Sequence, residues 1–536
     1  MMKISKGNTR LKITSKSIAF TAPHYSANQA GQNILLQGGT AIEAMVAAAA
    51  SISVVYPHMN SLGGDGFWLI SEPGKVPVGI DASGIAAKRA DLNFYAGQDN
   101  IESRGGRACL NMAGAVAGWS KALDISKSWQ PSLELEQLLS PAIGQAEWGI
   151  EVTQSLQNAS EKTFNDLHKL VNFEQFMIQG QRLEKGKILK LPKIAQTLKT
   201  LVSNGLDDFY HGDIAKLLAE DLAATGSPIQ LSDFTDYRAQ QVTPLSVKTS
   251  AGKLYNLPAP TQGIASLIIL ALFDKVQHQA KTEAEFIHLL VECTKQAFIV
   301  RDAVLTDPSR LAEPLECYLQ EEKINQLAKK VRLNKALPWP HIGKLGDTVW
   351  MGACDREGRM VSYIQSIYWE FGSGVVSPQT GIVWNNRGTT FSLQPDHLQQ
   401  LKPGLKPFHT LNPAFAELKD GRRLCYGTMG GEGQPQTQAA VFSRYVYRQQ
   451  ALPKAISESR WLLGRTWGNN NNNLHVEQDI PQNVIQELAS KGHQITTVPA
   501  CNELMGHAGA VVLRPDNTVA AATDPRSDGK AFAATL

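Results

Sequence analysis

Apolar residues fall at helical spacing first at Ala30, Ile34 and Leu35, just before the turn Gly38-Gly39. Thr40 with Glu43 three positions on predicts a capping box, opening a second helix over Ala41–Val55. That helix is alanine-rich and apolar on nearly every side, so burial is expected, and Tyr56-Pro57 ends it. The glycine cluster Gly63-Gly64-Asp65-Gly66 precedes the apolar run 67–70, and Val78-Gly79-Ile80-Asp81 reads as a further strand. Such a cluster permits close backbone approach or positive φ. Residues 133–330 read as mostly helical with charged faces, with apolar residues at helical spacing over 164–171 and 194–201. A Pro/Gly loop, 257–263, leads into an apolar helix over 264–273, and 283–301 is amphipathic. Residues 331–344 carry Pro338, Pro340, several cations and Gly343, and read as an exposed, irregular connector.

Beyond that connector the pattern changes. Thr348 follows the turn pair Gly346-Asp347 and opens a strand-like run, and Asp355 and Gly358 mark a hairpin turn to the next. Ser366, the loop Phe371-Gly372-Ser373-Gly374 and the polar cluster Asn385-Asn386-Arg387 come next. A strand near 424–426 runs into the glycine turn 427–436 and then a helix around 437–447. Glycines between strand and helix can turn backbone N–H groups toward an anion. A polar surface loop follows at 469–473, and the end of the chain reads as alternating strand and helix.

A chain of 536 residues implies more than one domain or one large interleaved one, and 43% apolar residues can fill a sizeable core. A net charge of +3 leaves no electrostatic footprint for nucleic acid. Lys3, Lys6, Arg10, Lys12 and Lys16 make a basic start without an apolar stretch to follow, which reads as a frayed terminus rather than a signal peptide. No apolar run reaches about 18 residues, so no membrane span is expected. The six cysteines are scattered, without C-x-x-C or metal spacing, which suits a reducing, cytoplasmic compartment. No metal or organic cofactor is implied, and the Gly63–Gly66 cluster is not G-x-G-x-x-G.

A threonine hydroxyl is a poor nucleophile unless its own α-amine serves as the base, which requires an N-terminal threonine. Thr348 is internal, so by spacing alone it is a strand residue. The order of landmarks changes that. Gly38-Gly39-Thr40-Ala41, Pro57-His58, Gly63-Gly64-Asp65-Gly66-Phe67, the 258–263 loop, Gly346-Asp347-Thr348, Phe371-Gly372-Ser373-Gly374, Asn385-Asn386, Gly430-Gly431 and Asp524-Pro525-Arg526 together resemble the γ-glutamyltranspeptidase family of N-terminal nucleophile hydrolases, from about Ala22 to Gly529. The resemblance implies an α+β fold, a four-layer αββα sandwich. One precursor would cut itself before Thr348 into a large, mostly helical subunit 1–347 that contributes strands and a small subunit 348–536 that carries the nucleophile and the sandwich core. By the same resemblance Thr348 is the nucleophile, Ser366 assists it, and Gly430 and Gly431 form the oxyanion hole.

The substrate-reading positions depart from the family's γ-glutamyl pattern. The family arginine for the substrate carboxylate is replaced by Ser83, and the aspartate for its ammonium by Thr390. His409 and Thr410 stand at the paired serines, Tyr368 at the asparagine, and Arg387 is a gained cation. The same departures, with 55–59, 367–371, 386–388, 406–413 and 430–436, resemble the branch of the family typified by oxamate amidohydrolase. That branch implies hydrolysis of a small anionic amide, oxamate to oxalate and ammonia, a step of purine catabolism, with Arg387, Tyr368, His409 and Thr410 around the substrate. Two other readings remain: a γ-glutamyl hydrolase or transferase acting on glutathione-like compounds, and an uncleaved binding protein.

Overall fold

The computed structural model describes residues 16–129, 132–339, 347–464 and 472–536. Two antiparallel sheets lie face to face at its centre. The first holds seven strands in the order Lys530–Thr535, Ser17–Ala22, Asp347–Cys354, Met360–Tyr368, Asp65–Ser71, Val78–Ala82 and Gln240–Val242. The second holds six, in the order Val519–Thr523, Ala508–Leu513, Arg423–Thr428, Ala414–Leu418, Gly252–Asn256 and Leu245–Lys248.

Side-chain alternation assigns the layers. In Asp347–Cys354, Val349, Met351 and Ala353 join a core shared with helices, while Trp350 and Cys354 face the other sheet. Phe67, Leu69 and Ile364 from the first sheet meet Tyr255, Phe415, Cys425 and Val511 from the second. Outside the first sheet lie Tyr25–Leu36, Ala41–Val55 and Leu135–Trp148; outside the second, Gly263–Val276 and Glu283–Val304. The result is the expected helix–sheet–sheet–helix sandwich.

Thr348 shares its parity with Trp350, so it opens its strand on the face between the sheets. Ser366 has the same parity as Met360 and Ile364 and lies on the same inner face.

All fifteen residues of Ala41–Val55 are buried, and the Thr40–Glu43 capping box is formed. Three expectations need correction. The helix covering Phe164 is Gln154–Leu167; the chain then turns, with Asn172 in the left-handed region, so the spacing over 164–171 does not continue a helix. The helix after the glycine turn begins earlier, at Gln434, because Pro435 suits a first helical turn, and Ser443–Tyr447 is a π segment. Strand–helix alternation stops at Val498, after which the chain supplies three strands to the two large sheets.

The connector is irregular and mostly exposed over 331–339, as expected. Its continuation with Pro340, Gly343 and Lys344, the turn residue Gly346, the basic start 1–15 and the loop at 469–471 lie outside the described residues. Among the described residues no helix is long and apolar enough to cross a membrane.

Candidate active site

Thr348 and Ser366 are fully buried. Their strands are neighbours, with Gln365 opposite Val349 and, across a register shift, Tyr368 opposite Asp347. A bulge of this kind re-aims side chains. The Ser366 hydroxyl accepts from the Tyr368 N–H at 2.8 Å, and Tyr368 sits at φ +83. A non-glycine residue in that region is strained and persists only where its surroundings fix it. On the other side Gly64 touches the same strand: a Cβ there would lie 2.3 Å from the Ser366 backbone carbonyl oxygen. The glycine cluster therefore serves close approach.

The glycine turn leads into a helix whose first residue reaches Thr348. Gly430 adopts φ +113, which favours glycine, and Gly431 opens a short 3-10 turn into the Gln434–Phe442 helix. Gln434 Nε2 lies 3.4 Å from Thr348 Oγ1, a long hydrogen bond. The turn is fastened from below by Gln262, whose amide donates to the Gly431 oxygen at 2.8 Å and to the Thr410 oxygen at 2.7 Å. Arg301 Nη1 donates to the Gln262 oxygen at 2.9 Å, and its Nη2 pairs with Glu432 at 3.3 Å. The 258–263 loop thus ties the expected oxyanion turn to the His409–Thr410 segment, which it also meets through Gln262 N–H donating to the His409 oxygen at 2.9 Å.

Asn385 and Asn386 position the gained cation. Asn385 Nδ2 donates to the Gly63 oxygen at 2.9 Å, and Asn386 Oδ1 accepts from the Trp369 N–H at 3.2 Å. Arg387 follows them inward and is fully buried. Its guanidinium carbon lies 3.9 Å from the centre of the Tyr368 ring, and Nη1 donates to Thr410 Oγ1 at 3.2 Å. Among the described residues Nε and Nη2 find no hydrogen-bond partner, and Asp65 lies 3.8 Å from Nε. Burial lowers its pKa to about 10, against the pull of Tyr368 and Asp65, so it stays charged at neutral pH. Two unmet donors on a buried cation are costly.

His409 is equally buried and stands on Asp65 through Nε2 at 2.9 Å. Burial, with Arg387 nearby, pushes its pKa down to about 4, so the ring is neutral at pH 7. The positions that replace the γ-glutamyl contacts are otherwise engaged. Ser83 Oγ donates to Asp81 at 2.6 Å, and Thr390 Oγ1 donates to the Arg387 oxygen at 3.0 Å. Lys406, a further buried cation, is paired with Asp81 at 2.6 Å.

Tyr368, Arg387, His409 and Thr410 are joined by short contacts, Ser366 bonds the Tyr368 N–H, and Thr348 meets the helix that follows Gly430 and Gly431 through Gln434. Asp65, Gln262, Arg301 and Gln434 were not foreseen in these roles. The signal for Asp65 was an acid set among glycines; Gln262 sat in a loop noted only for its prolines and glycines.

Other chemistry fits poorly. Burial pushes the Cys109 thiol up to about 12 and raises Cys293, Cys354 and Cys425, which disfavours thiolates. Among the described residues one group has metal-like spacing, His288, Glu292 and His493. Its atoms are already engaged: His288 Nδ1 meets His493 Nε2 at 2.8 Å, His288 Nε2 donates to the Arg332 oxygen at 2.7 Å, and Glu292 pairs with Lys295 at 2.7 Å. An ammonium on the only carboxylate does not suit a cation site.

Comparison with known proteins finds relatives along nearly the whole chain. The family described as Gamma-glutamyltranspeptidase matches residues 27–534. The oxamate amidohydrolase proenzyme of Klebsiella pneumoniae is 49% identical over 512 residues, covering 95% of this chain and 97% of that protein. The glutathione hydrolase-like YwrD proenzyme of Bacillus subtilis is 36% identical, with 95% and 97% covered. The crystal structure of cephalosporin acylase from Bacillus halodurans superposes with a TM-score of 0.87 at 28% identity, covering 99% of each chain.

Proposed function

Because the chain belongs to the gamma-glutamyltranspeptidase family, we propose that this N-terminal nucleophile amidohydrolase cuts itself before Thr348 and then hydrolyses oxamate to oxalate and ammonia. The proenzyme relatives support two subunits from one precursor, here 1–347 and 348–536. In the precursor, Thr348 Oγ attacks the Asp347 carbonyl carbon and the peptide becomes an ester. Water opens the ester, leaving a carboxylate on Asp347 and a free amine on Thr348.

The mature amine takes the hydroxyl proton as Oγ attacks the amide carbon of the substrate, with Ser366 assisting. The backbone N–H groups of Gly430 and Gly431 hold the oxyanion. The amine returns its proton to the leaving nitrogen, and ammonia departs. Water, activated by the same amine, then clears the acyl-enzyme as oxalate.

The observation that carries the substrate reading is Arg387: buried, charged, stacked on Tyr368, with two donors that make no hydrogen bond. Arginine is a natural fork for a carboxylate. In oxamate the carboxylate is bonded directly to the carbon under attack, so its anchor belongs close to Thr348. A γ-glutamyl carboxylate lies three carbons farther out. Tyr368, with which Arg387 stacks, is opposite Asp347 in the sheet, which suits the short acid. His409 and Thr410 complete the lining.

Arg387→Ala should lower kcat/KM for oxamate by the equivalent of about 2–3 kcal/mol, roughly 30- to 150-fold, while self-cleavage survives. The check is ammonia release alongside a denaturing gel. An unchanged rate in protein that still shows two bands would remove Arg387 from the reading.

A further inference from the structure

Asp65 holds two neighbours through one oxygen. Its Oδ2 accepts from His409 Nε2 at 2.9 Å and lies 3.8 Å from Arg387 Nε; its Oδ1 accepts from the Gly84 N–H at 2.7 Å. Asp65, Arg387 and His409 are all fully buried. A carboxylate only accepts, so the proton on a neutral His409 ring is on Nε2, and Nδ1 carries a lone pair. Among the described residues Nδ1 finds no hydrogen-bond partner, and neither do Nε and Nη2 of Arg387. Unfilled buried donors and an unfilled buried acceptor thus stand around one acid. Left so, each costs free energy that a complementary ligand would recover.

We propose that Asp65 is a positioning residue that fixes the His409 tautomer, so that the pocket accepts a short carboxylate bearing a primary amide and turns away the matching dicarboxylate. This rests on the reading of Arg387 as the carboxylate anchor and adds what the other end of the ligand must be. A primary amide brings N–H donors, which His409 Nδ1 can accept. A second carboxylate brings only lone pairs, which meet the Nδ1 lone pair and the charge of Asp65. The substrate amide is therefore held and the diacid product is repelled, which favours product release. Sites that hydrogen-bond a ligand group discriminate strongly against an analogue with the wrong polarity, because the buried partner is left unmet.

Asp65→Asn inverts the arrangement with little change in shape. The amide oxygen can keep the bond from Gly84 N–H, while the amide nitrogen faces His409 Nε2 as a donor. Nε2 must then accept, and the ring proton moves to Nδ1. The experiment compares wild type and Asp65→Asn, each shown by gel to be in two subunits. Calorimetric titration reads oxalate affinity, and ammonia release reads KM and kcat for oxamate. We expect oxalate to bind at least ten-fold more tightly to the variant, while KM for oxamate rises more than kcat falls. Oxalate affinity that is unchanged or weaker in the variant would overturn the inference. If Asp65→Asn does not process, His409→Phe, which removes the acceptor and keeps a ring, is read the same way. Tighter oxalate binding supports the inference and unchanged binding overturns it. The oxalate arm needs no turnover, so a wild type that releases no ammonia from oxamate would sink the substrate reading alone.

Discussion

The two halves of the site are held by different forces. Around Thr348 the groups are hydroxyls and neutral amides: Ser366 on a backbone N–H, Gln434 beside the Thr348 hydroxyl, Gln262 beneath the glycine turn. Around Arg387 the groups are buried charges and a ring nitrogen: Asp65, His409 and the guanidinium itself, with a tyrosine face for support. Peptide dipoles aimed at an oxyanion serve any acyl transfer. Buried charges serve only ligands that complete them, because an unmet buried charge is expensive. Substrate choice can therefore change by few substitutions in the second half while the first half stays as it is. Ser83 and Thr390 illustrate this: where the resemblance expects a substrate arginine and aspartate, these residues are spent on local hydrogen bonds.

The sharpest way to separate the halves is to remove the nucleophile. Thr348→Ala should leave one full-length band and no amidase activity, with Arg387 and its neighbours undisturbed. Two bands cut at 347/348 in that variant would mean an outside protease makes the break. A smaller effect is expected at the joint between the halves. Gln262→Ala strands the Gly431 and Thr410 oxygens and Arg301 Nη1. Each stranded buried group costs about 1–3 kcal/mol, so the melting temperature should fall by several degrees and turnover should drop about ten-fold. A variant with wild-type melting and turnover would show that the loop does not couple the halves.

A comparable effect on stability is expected in acid. Burial holds His24, His409 and His507 near pKa 4, against an ordinary value of 6.5. Between these values the unfolded chain binds protons that the folded chain refuses. Stability from these groups is thus full above about pH 6.5 and is lost as pH falls toward 4, at about 1.4 kcal/mol per group for each full unit. Melting temperatures at pH 7.5 and pH 5 should differ accordingly; equal values would place the rings in wetter surroundings.

Single helices were legible because periodicity and capping act locally: the Thr40–Glu43 box and the apolar helix after Gly263 are where the pattern put them, whereas the four layers came from the family resemblance. Arg387 could be picked out as a gained cation, but its burial could not, since that depends on Asn385 and Asn386 gripping residues far away in sequence. Asp65 meeting His409 spans 344 positions. No local pattern encodes that contact, so its part in the site needed the fold. The end of the 164–171 stretch was misread because helical spacing persisted past a turn that Asn172 makes with positive φ.

A recognition half that takes an acid whose carboxylate adjoins the reacting carbon must separate short acids from γ-glutamyl ones. The most direct measurement is kcat/KM for oxamate and for a γ-glutamyl anilide on the same self-processed preparation. Oxamate should be favoured by about 100-fold or more, the range expected when a buried cation gains or loses its partner at about 3 kcal/mol. A preparation that prefers the γ-glutamyl anilide would contradict it.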